Sequence, residues 1–310
     1  MDSYQAVFSK CFEAKPWEKI LVLFDEGTAE IGNNFYSAAK GLGLNVVIHE
    51  MPRLKVSGQE PLPEVAELMK KFDVELLITS ESLTHTRARM EATGAGARIA
   101  TMPGITEETA RRCIDIDYTE LLRLCNFFRQ ELNGRDKVHI ATDKGTNLSF
   151  SIKNRQILEA TGLVRKKGDY DNIPGAEVFT APIEDSANGL LVVDGSMAGL
   201  GLTRDLGLKI KNGIIQEFSG DKSEKLKELM KTVNDRTIAE FGIGCNPKAI
   251  ITGNVLEDEK ALGTIHIAFG TNEGFGGRTK ANVHLDGVIR KPSVAVDGRL
   301  IIRHGRPISI

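Results

Sequence analysis

The first part of the chain alternates between short apolar runs and amphipathic segments with helical spacing. The apolar run at residues 20–24 is typical of a buried strand, and the segment at 28–40 that follows it has helical periodicity. The same alternation predicts strands at 44–49, 74–79 and 98–102, and helices at 63–72, 86–94, 106–113 and 118–132. Alternating strands and helices are typical of βαβ units. Residues 1–134 are therefore predicted to form an α/β domain with a parallel sheet covered by helices on both faces.

After Asn133 and Gly134 the pattern changes to short strands separated by turn residues. Strands are predicted at 138–142, 148–152, 178–181, 189–193, 208–211, 213–218, 264–269, 283–289, 293–296 and 300–302. The one helix predicted in this part lies at 223–233, with an extension over 235–240. The predicted fold class is α/β, with a second, β-rich (α+β) domain over 135–310 that is open or barrel-like.

The composition restricts the possible partners. The chain has 40 Lys and Arg residues against 42 Asp and Glu residues, a net charge of −2. This balance gives no electrostatic reason to expect nucleic acid or an anionic membrane as a partner. The polar N-terminus has no signal-peptide core and the chain has no long apolar run, so we expect a cytoplasmic protein. The four cysteines lie far apart, outside any CxxC pair, which is typical of reduced thiols.

A histidine and an aspartate in one predicted strand form a candidate metal-binding pair. His284 and Asp286 are two positions apart, so their side chains would lie on the same face of a strand. An imidazole and a carboxylate together suit a divalent transition metal. The same triplet is also compatible with a half-buried strand that exposes polar residues, and His266, in another strand, is by itself compatible with a core histidine.

Two glutamates lie close to these motifs in the predicted β-rich domain. Glu177 follows the turn residues NIPGA and begins a predicted strand. Glu240 is flanked by apolar and small residues, where a carboxylate is costly unless it is paired or bound to metal. The alternatives are a surface charge near a turn for Glu177 and a solvated helix end for Glu240.

Several separate stretches follow a known family pattern in the same order. They are NIPGAEVFTAP, AEFGIGCNP, GTIHIAFG and ANVHLDGVI, preceded by SLTHTRARMEATGAGARIATMPGI and HIATDKGTNLSFSI. Together they resemble the aminopeptidase T family, the thermophilic leucyl aminopeptidases, over most of the chain. The resemblance implies a homodimeric metallo-aminopeptidase, a hydrolase that removes N-terminal residues from small peptides.

The resemblance also implies the metal ligands and their roles. The ligands carried over to this chain are Glu177, Glu240, His266, His284 and Asp286. They would hold two divalent ions, such as Zn, Co or Mn, which lower the pKa of a bound water and polarise the peptide carbonyl. Glu177 or Glu240 would be the catalytic residue that accepts the proton of that water.

Two departures from the family pattern leave other hypotheses open. Glu273 stands where the family's peptidases carry a tyrosine, and the spacing from His266 to His284 is shorter than in those peptidases. A related ring-cleaving dioxygenase that acts on dihydroxypyridine uses two histidines and one carboxylate on one ferrous ion; here these would be His266, His284 and Asp286. In that hypothesis His85 would be an acid or base. A third hypothesis is a catalytically inactive, metal-stabilised binding protein.

Overall fold

The computed structural model describes residues 2–308, and its internal contacts divide the chain into two compact units. The first comprises Met1–Asp117 and Ala160–Gly175, and the second Tyr118–Glu159 and Ala176–Ile310. This division differs from the predicted boundary near residue 134, because residues 118–134 belong to the second unit and the chain returns to the first at 160–175. None of the helices in the described part of the chain has the length and apolar character needed to cross a bilayer.

A five-stranded parallel sheet forms the centre of the first unit, with strand order β2-β1-β3-β4-β8. Its strands are β1 Ile20–Asp25, β2 Val46–Met51, β3 Val74–Ile78, β4 Arg98–Thr101 and β8 Tyr170–Asn172. The helices of this unit are α1 Ser3–Ala6, which continues into a π-helical turn at Val7–Cys11, α2 Ala29–Gly41, α3 Pro63–Met69, α4 Arg87–Gly94 and α5 Glu107–Cys113. The N-terminal residues of the sheet helices follow capping rules. Pro63 opens α3, and Thr86 and Thr106 accept hydrogen bonds from backbone amides of α4 and α5.

One face of this sheet carries an apolar core that includes a carboxyl group. Leu21, Leu77 and Ile99 are fully buried there with residues of α3 and α4, and each such side chain contributes about 1.5–3 kcal/mol by its burial. Glu75 lies between Leu21 and Ile99 in the strand register and is itself fully buried. Neither of its carboxyl oxygens has a hydrogen-bond partner among the described residues. Burial raises the pKa of Glu75 well above its usual value.

The second unit contains two antiparallel sheets. The eight-stranded sheet has the order β14-β13-β10-β6-β5-β18-β19-β20, and the seven-stranded sheet has the order β12-β11-β17-β16-β15-β9-β7. The strands are β5 Lys137–Ala141, β6 Asn147–Ser151, β7 Leu158–Ala160, β9 Glu177–Thr180, β10 Asn188–Val193, β11 Ser196–Met197, β12 Gly201–Leu202, β13 Leu206–Lys211, β14 Ile214–Ser219, β15 Ile238–Gly244, β16 Thr264–Gly270, β17 His284–Arg290, β18 Ser293–Val296, β19 Arg299–Arg303 and β20 Arg306–Pro307. The helices are α6 Tyr118–Leu132, α7 Ser223–Leu229 and α8 Val255–Asp258.

The predicted fold class is confirmed, and one prediction near the site is wrong. The helix extension over 235–240 is a 3₁₀ turn at Asn234–Arg236 followed by strand β15. Every residue of β15 is buried, so the sequence has no alternation of apolar and polar positions that would identify a strand. Pairing with β16 and β9 determines its conformation instead. As a result, Glu240 lies within a central strand and not at a solvated helix end.

Candidate metal centre

Four neighbouring strands of the seven-stranded sheet bring the five predicted site residues together on one face. In the register of these strands, Glu240 lies opposite Ala268, which lies opposite Asp286. His284 begins β17 and lies opposite Gly270, and Glu177 begins β9 opposite Gly244. Directly opposed residues of antiparallel strands point to the same side of a sheet. The face therefore presents three carboxylates and two imidazoles from four strands.

Glycines on this face make room for the site. A Cβ atom at Gly242 would lie 2.1 Å from both Cε1 and Nε2 of His266, so the imidazole ring lies directly across the glycine. A Cβ atom at Gly244 would lie 2.2 Å from the carbonyl oxygen of Ala261, where the segment before β16 crosses the strand. A side chain at Gly242 would occupy the space of the imidazole, and one at Gly244 would clash with the backbone of the crossing segment.

The carboxylate of Glu240 lies between the two imidazoles. Its Oε1 is 3.2 Å from Nε2 of His266, and its Oε2 is 3.3 Å from Nε2 of His284. Nε2 of His284 is also 3.5 Å from Oδ1 of Asp286. Both Nε2 atoms thus face the same carboxylate, and the ligand-type atoms converge in a small volume.

The donor set fits a divalent metal ion. Three groups of residues place ligand atoms within 4.8 Å of one another: Glu177, Glu240 and His266; Glu240, His284 and Asp286; and Glu259, His266 and Asp286. Mixed imidazole and carboxylate donors suit ions such as Zn, Mn, Co and Fe. In addition, two buried ligand-type atoms, Oε2 of Glu177 and Nδ1 of His266, have no hydrogen-bond partner among the described residues. Buried polar atoms seldom stay unpaired, so these support a site that binds an ion.

A hydrogen bond to the backbone orients His284. Its Nδ1–H donates to the carbonyl oxygen of Thr271 at 2.9 Å. This interaction fixes the ring and leaves Nε2 as the free ligand atom, the arrangement usual for metal-binding histidines.

The carboxylates and imidazoles of the cluster shift one another's pKa values. Burial lowers the pKa of an imidazole, but the hydrogen bond to Glu240 and the charge of Glu177 outweigh it and raise the pKa of His266 to about 9. The pKa of His284 is also raised, against burial, by Asp286 and Glu240. Burial alone would raise the pKa of Glu240, but hydrogen bonds from the two histidines hold it well below its usual value. Without metal, protons on the imidazoles therefore provide the positive charge that the carboxylates need.

A buried lysine beside this cluster was not predicted. Lys260 is fully buried, and its Nζ donates to Oε1 of Glu177 at 2.8 Å and to Oε1 of Glu259. Burial opposes its charge, but the two carboxylates raise the pKa of Lys260 above its usual value. Burial and the neighbouring carboxylates, against the attraction of Lys260, raise the pKa of Glu259 to about 8. The run Glu257–Lys260 has the composition of a solvated surface segment, so the sequence gives no sign of its burial.

An aromatic pair borders the site at the connection between β16 and β17. The Phe275 ring meets the His284 ring edge to face, with centroids 5.8 Å apart, and meets the Phe179 ring in the same way at 5.7 Å. Asn272 holds the base of this connection: it is fully buried, its side chain donates to the carbonyl of Ala239, and it accepts a hydrogen bond from the amide of Thr279. The connection therefore has a fixed base and carries an apolar wall next to a candidate ligand.

The remaining residue considered from sequence is His85 in the first unit. His85 is exposed in the first unit, in the segment before α4, and Thr86 rather than His85 caps that helix. It belongs to a different unit from the five clustered residues.

Comparisons with known proteins identify the fold. The solved structure of 2,5-dihydroxypyridine dioxygenase from Pseudomonas putida matches 99% of this chain and 96% of its own at a TM-score of 0.85 and 19% identity. The structure of wild-type AmpT from Thermus thermophilus matches 99% of this chain and 98% of its own, at a TM-score of 0.73 and 18% identity. Both have the same fold as this chain.

Sequence relatives fall into the same two groups. The 2,5-dihydroxypyridine 5,6-dioxygenase of Pseudomonas putida is 24% identical over 249 residues, 74% of this chain and 70% of its own length. Aminopeptidase T of Thermus aquaticus is 29% identical over 192 residues, 52% of this chain and 47% of its own length. Aminopeptidase AmpS of Bacillus subtilis is 24% identical over 180 residues, which are 50% of this chain and 43% of its own length. The matches to the aminopeptidases thus span less than half of those proteins.

Fold, site and relatives together define an enzyme of the structural class shared by these dioxygenases and aminopeptidases, with residues suited to a metal cofactor. Within that class the chain belongs to the NicX family, 2,5-dihydroxypyridine 5,6-dioxygenase, whose sequence profile matches residues 1–309. The predicted relationship to aminopeptidase T is confirmed, but the family is that of the dioxygenase.

Proposed function

We propose that the protein is a metal-dependent dioxygenase that opens the ring of a dihydroxylated N-heteroaromatic compound, with 2,5-dihydroxypyridine as the first candidate. The observation that carries this proposal is family membership combined with two imidazoles and a carboxylate on adjacent strands. Two histidines and one carboxylate form the ligand set of many non-haem iron oxygenases.

The ligands in this proposal are His266, His284 and Asp286. A ferrous ion bound by them would activate dioxygen and act as a Lewis acid toward a substrate hydroxyl. Glu240, whose carboxylate lies between the Nε2 atoms of both histidines, would accept the proton of that hydroxyl. Phe275 and Phe179 would exclude water and provide an apolar face for a planar ring.

A second candidate function is the metallo-aminopeptidase activity that the sequence motifs imply. It is supported by the aminopeptidase relatives and by the group formed by Glu177, Glu240 and His266. Together with His284 and Asp286 this group would hold two Zn, Co or Mn ions, with Glu177 or Glu240 as the base. A small-molecule substrate, a homodimeric assembly and a cytoplasmic location also stay predictions. Light scattering coupled to size-exclusion chromatography tests the assembly.

The test uses one apoprotein preparation, stripped with chelator under anaerobic conditions. One portion receives Fe²⁺ and is assayed for oxygen uptake with 2,5-dihydroxypyridine and with other dihydroxylated aromatics. The other portion receives Zn²⁺, Co²⁺ or Mn²⁺ and is assayed with leucine p-nitroanilide. We expect oxygen uptake only with Fe²⁺, and its loss in Asp286→Ala. Hydrolysis of the anilide without any oxygen uptake would refute the proposal and establish the second candidate.

A further inference from the structure

Lys260 has an unusual position for a charged residue. Its side chain is fully buried in the second unit, and both of its hydrogen-bond partners are carboxylates. A buried ammonium is stable only where carboxylates compensate its charge. One of these partners is Glu177, a candidate ligand, and the other is Glu259, which belongs to a candidate ligand group with His266 and Asp286. Lys260 is therefore part of the polar cluster itself.

The two carboxylate oxygens of Glu177 contact different groups. Its Oε1 accepts the hydrogen bond from Lys260 at 2.8 Å, while Oε2 is 3.5 Å from Nε2 of His266. A carboxylate with one oxygen toward each of two cations is the arrangement that bridges a pair of metal ions. Here a single positive charge, fixed by covalent attachment to the chain, already lies at one of those two positions.

We propose that the ammonium of Lys260 occupies the place of a second divalent cation, so that this centre binds one metal ion and Glu177 serves as the ion-pair partner of Lys260. A metal ion bonded to Oε1 of Glu177 would have to lie about 2.0–2.2 Å from that oxygen. At that distance it would face the ammonium at close range, with strong repulsion in a buried site. This inference rests on the proposed function in one respect: a metal ion must bind at His266, His284 and Asp286.

Lys260 is thus a positioning residue, and it acts through Glu177. With the lysine present, both Glu177 and Glu259 are engaged by its charge. If the charge is removed and the side chain kept apolar, both carboxylates lose their partner within a cluster that already contains Glu240 and Asp286. Such a set of four carboxylates with two imidazoles provides enough donors for two divalent ions.

The experiment measures metal stoichiometry, and enzymatic activity does not enter it. Apoprotein is titrated with Co²⁺ under anaerobic conditions, desalted, and analysed for metal per chain by elemental mass spectrometry; Fe²⁺ is used in a parallel series. We expect wild type and Lys260→Arg to bind one ion per chain and Lys260→Met to bind two. Lys209→Met is the matched control, because it removes the same charge from an exposed ion pair with Glu217; it is expected to bind one ion.

Three outcomes overturn the proposal. They are two ions bound by wild type, one ion bound by folded Lys260→Met, and two ions bound by Lys260→Arg. If Lys260→Met does not fold, the double variant Lys260→Met/Glu259→Gln, which removes Lys260 together with the acidity of one of its two partners, carries the same prediction of two ions. Oxygen uptake with dihydroxypyridine is measured separately: wild type that binds one ion but takes up no oxygen contradicts the proposed function and leaves the inference about Lys260 intact.

Discussion

Gly242 gives the most direct test of the site geometry, because a single methyl group there meets the ring of His266. A Cβ at this position would lie 2.1 Å from two ring atoms, whereas ordinary van der Waals contact begins at 3.4 Å. In Gly242→Ala the imidazole must therefore withdraw by about 1.3 Å. Metal–ligand distances tolerate changes of only about 0.2 Å, so the variant is expected to lose His266 as a ligand.

The expected loss of metal affinity in Gly242→Ala can be estimated from the effect of smaller changes near metal ligands. Changes to residues that merely orient a ligand typically weaken metal binding by about 10–100-fold. Displacement of the ligand itself should cost at least about 100-fold in affinity, which corresponds to about 2.7 kcal/mol. Competition between the protein and a chromophoric chelator for Co²⁺ measures this change.

The control separates an effect on the site from an effect on the fold. Gly94→Ala introduces the same methyl group in α4, where the new Cβ would meet no described atom within 4 Å apart from its chain neighbours and the backbone of the helix itself. It should keep the wild-type affinity. Thermal unfolding of the metal-free proteins shows whether Gly242→Ala retains its fold. A folded Gly242→Ala variant that binds Co²⁺ within threefold of wild type would refute both the placement of the His266 ring and its role as a ligand.

Three further predictions address other features. Glu75→Met should raise the free energy of unfolding at neutral pH by about 1–3 kcal/mol, because it removes a buried carboxyl without a hydrogen-bond partner. The pKa of Glu75 is raised in the folded state, so wild type loses stability as the pH rises above the pKa of this group in the unfolded chain, about 4.3. In denaturant titrations the difference in free energy of unfolding between Glu75→Met and wild type should therefore shrink toward pH 4. If that difference is independent of pH, the carboxyl group is not its cause. Phe275→Ala should raise KM for a planar aromatic substrate more than it lowers kcat, whereas an unchanged KM would argue against an apolar wall. His284→Ala should abolish activity and reduce bound metal without unfolding the chain; full metal content in this variant would remove it from the ligand set.

The sequence predicts most strands and helices because their signals are local. Capping residues such as Thr86 and Thr106 and the proline at 63 mark helix starts that the structure confirms within a residue. The assignment of segments to units is not a local property. Helical periodicity in α6 does not say which sheet it packs against, and β8 has only three residues, too few for a recognisable pattern.

Some residues of the candidate site can likewise be identified from a local sequence pattern, and others cannot. His284 and Asp286 are recognisable because the period of a strand places them on one side, and the structure places them so. Lys260 is not recognisable, since its burial depends on Glu177, a residue distant in sequence. Gly242 gives a signal only when its register with His266 is known.

The choice between the two reactions was also beyond the sequence motifs. The motifs identify candidate ligands rather than the number of ions that they hold. That number depends on what lies between the ligands, and here a lysine that belongs to none of the motifs lies next to Glu177.

In the connection between β16 and β17, the residues that orient the ligand His284 differ from the residues at the tip that border the substrate. The orientation of His284 depends on a backbone carbonyl at Thr271, and Asn272 fixes the base through Thr279 and Ala239. Neither interaction uses a side chain from the tip at 273–278. We therefore expect natural selection to be able to exchange tip residues, and with them the compounds accepted, while the geometry of the ligand stays constant. A single substitution at the tip can therefore change which substrates are accepted while the enzyme keeps its metal-binding geometry and its activity.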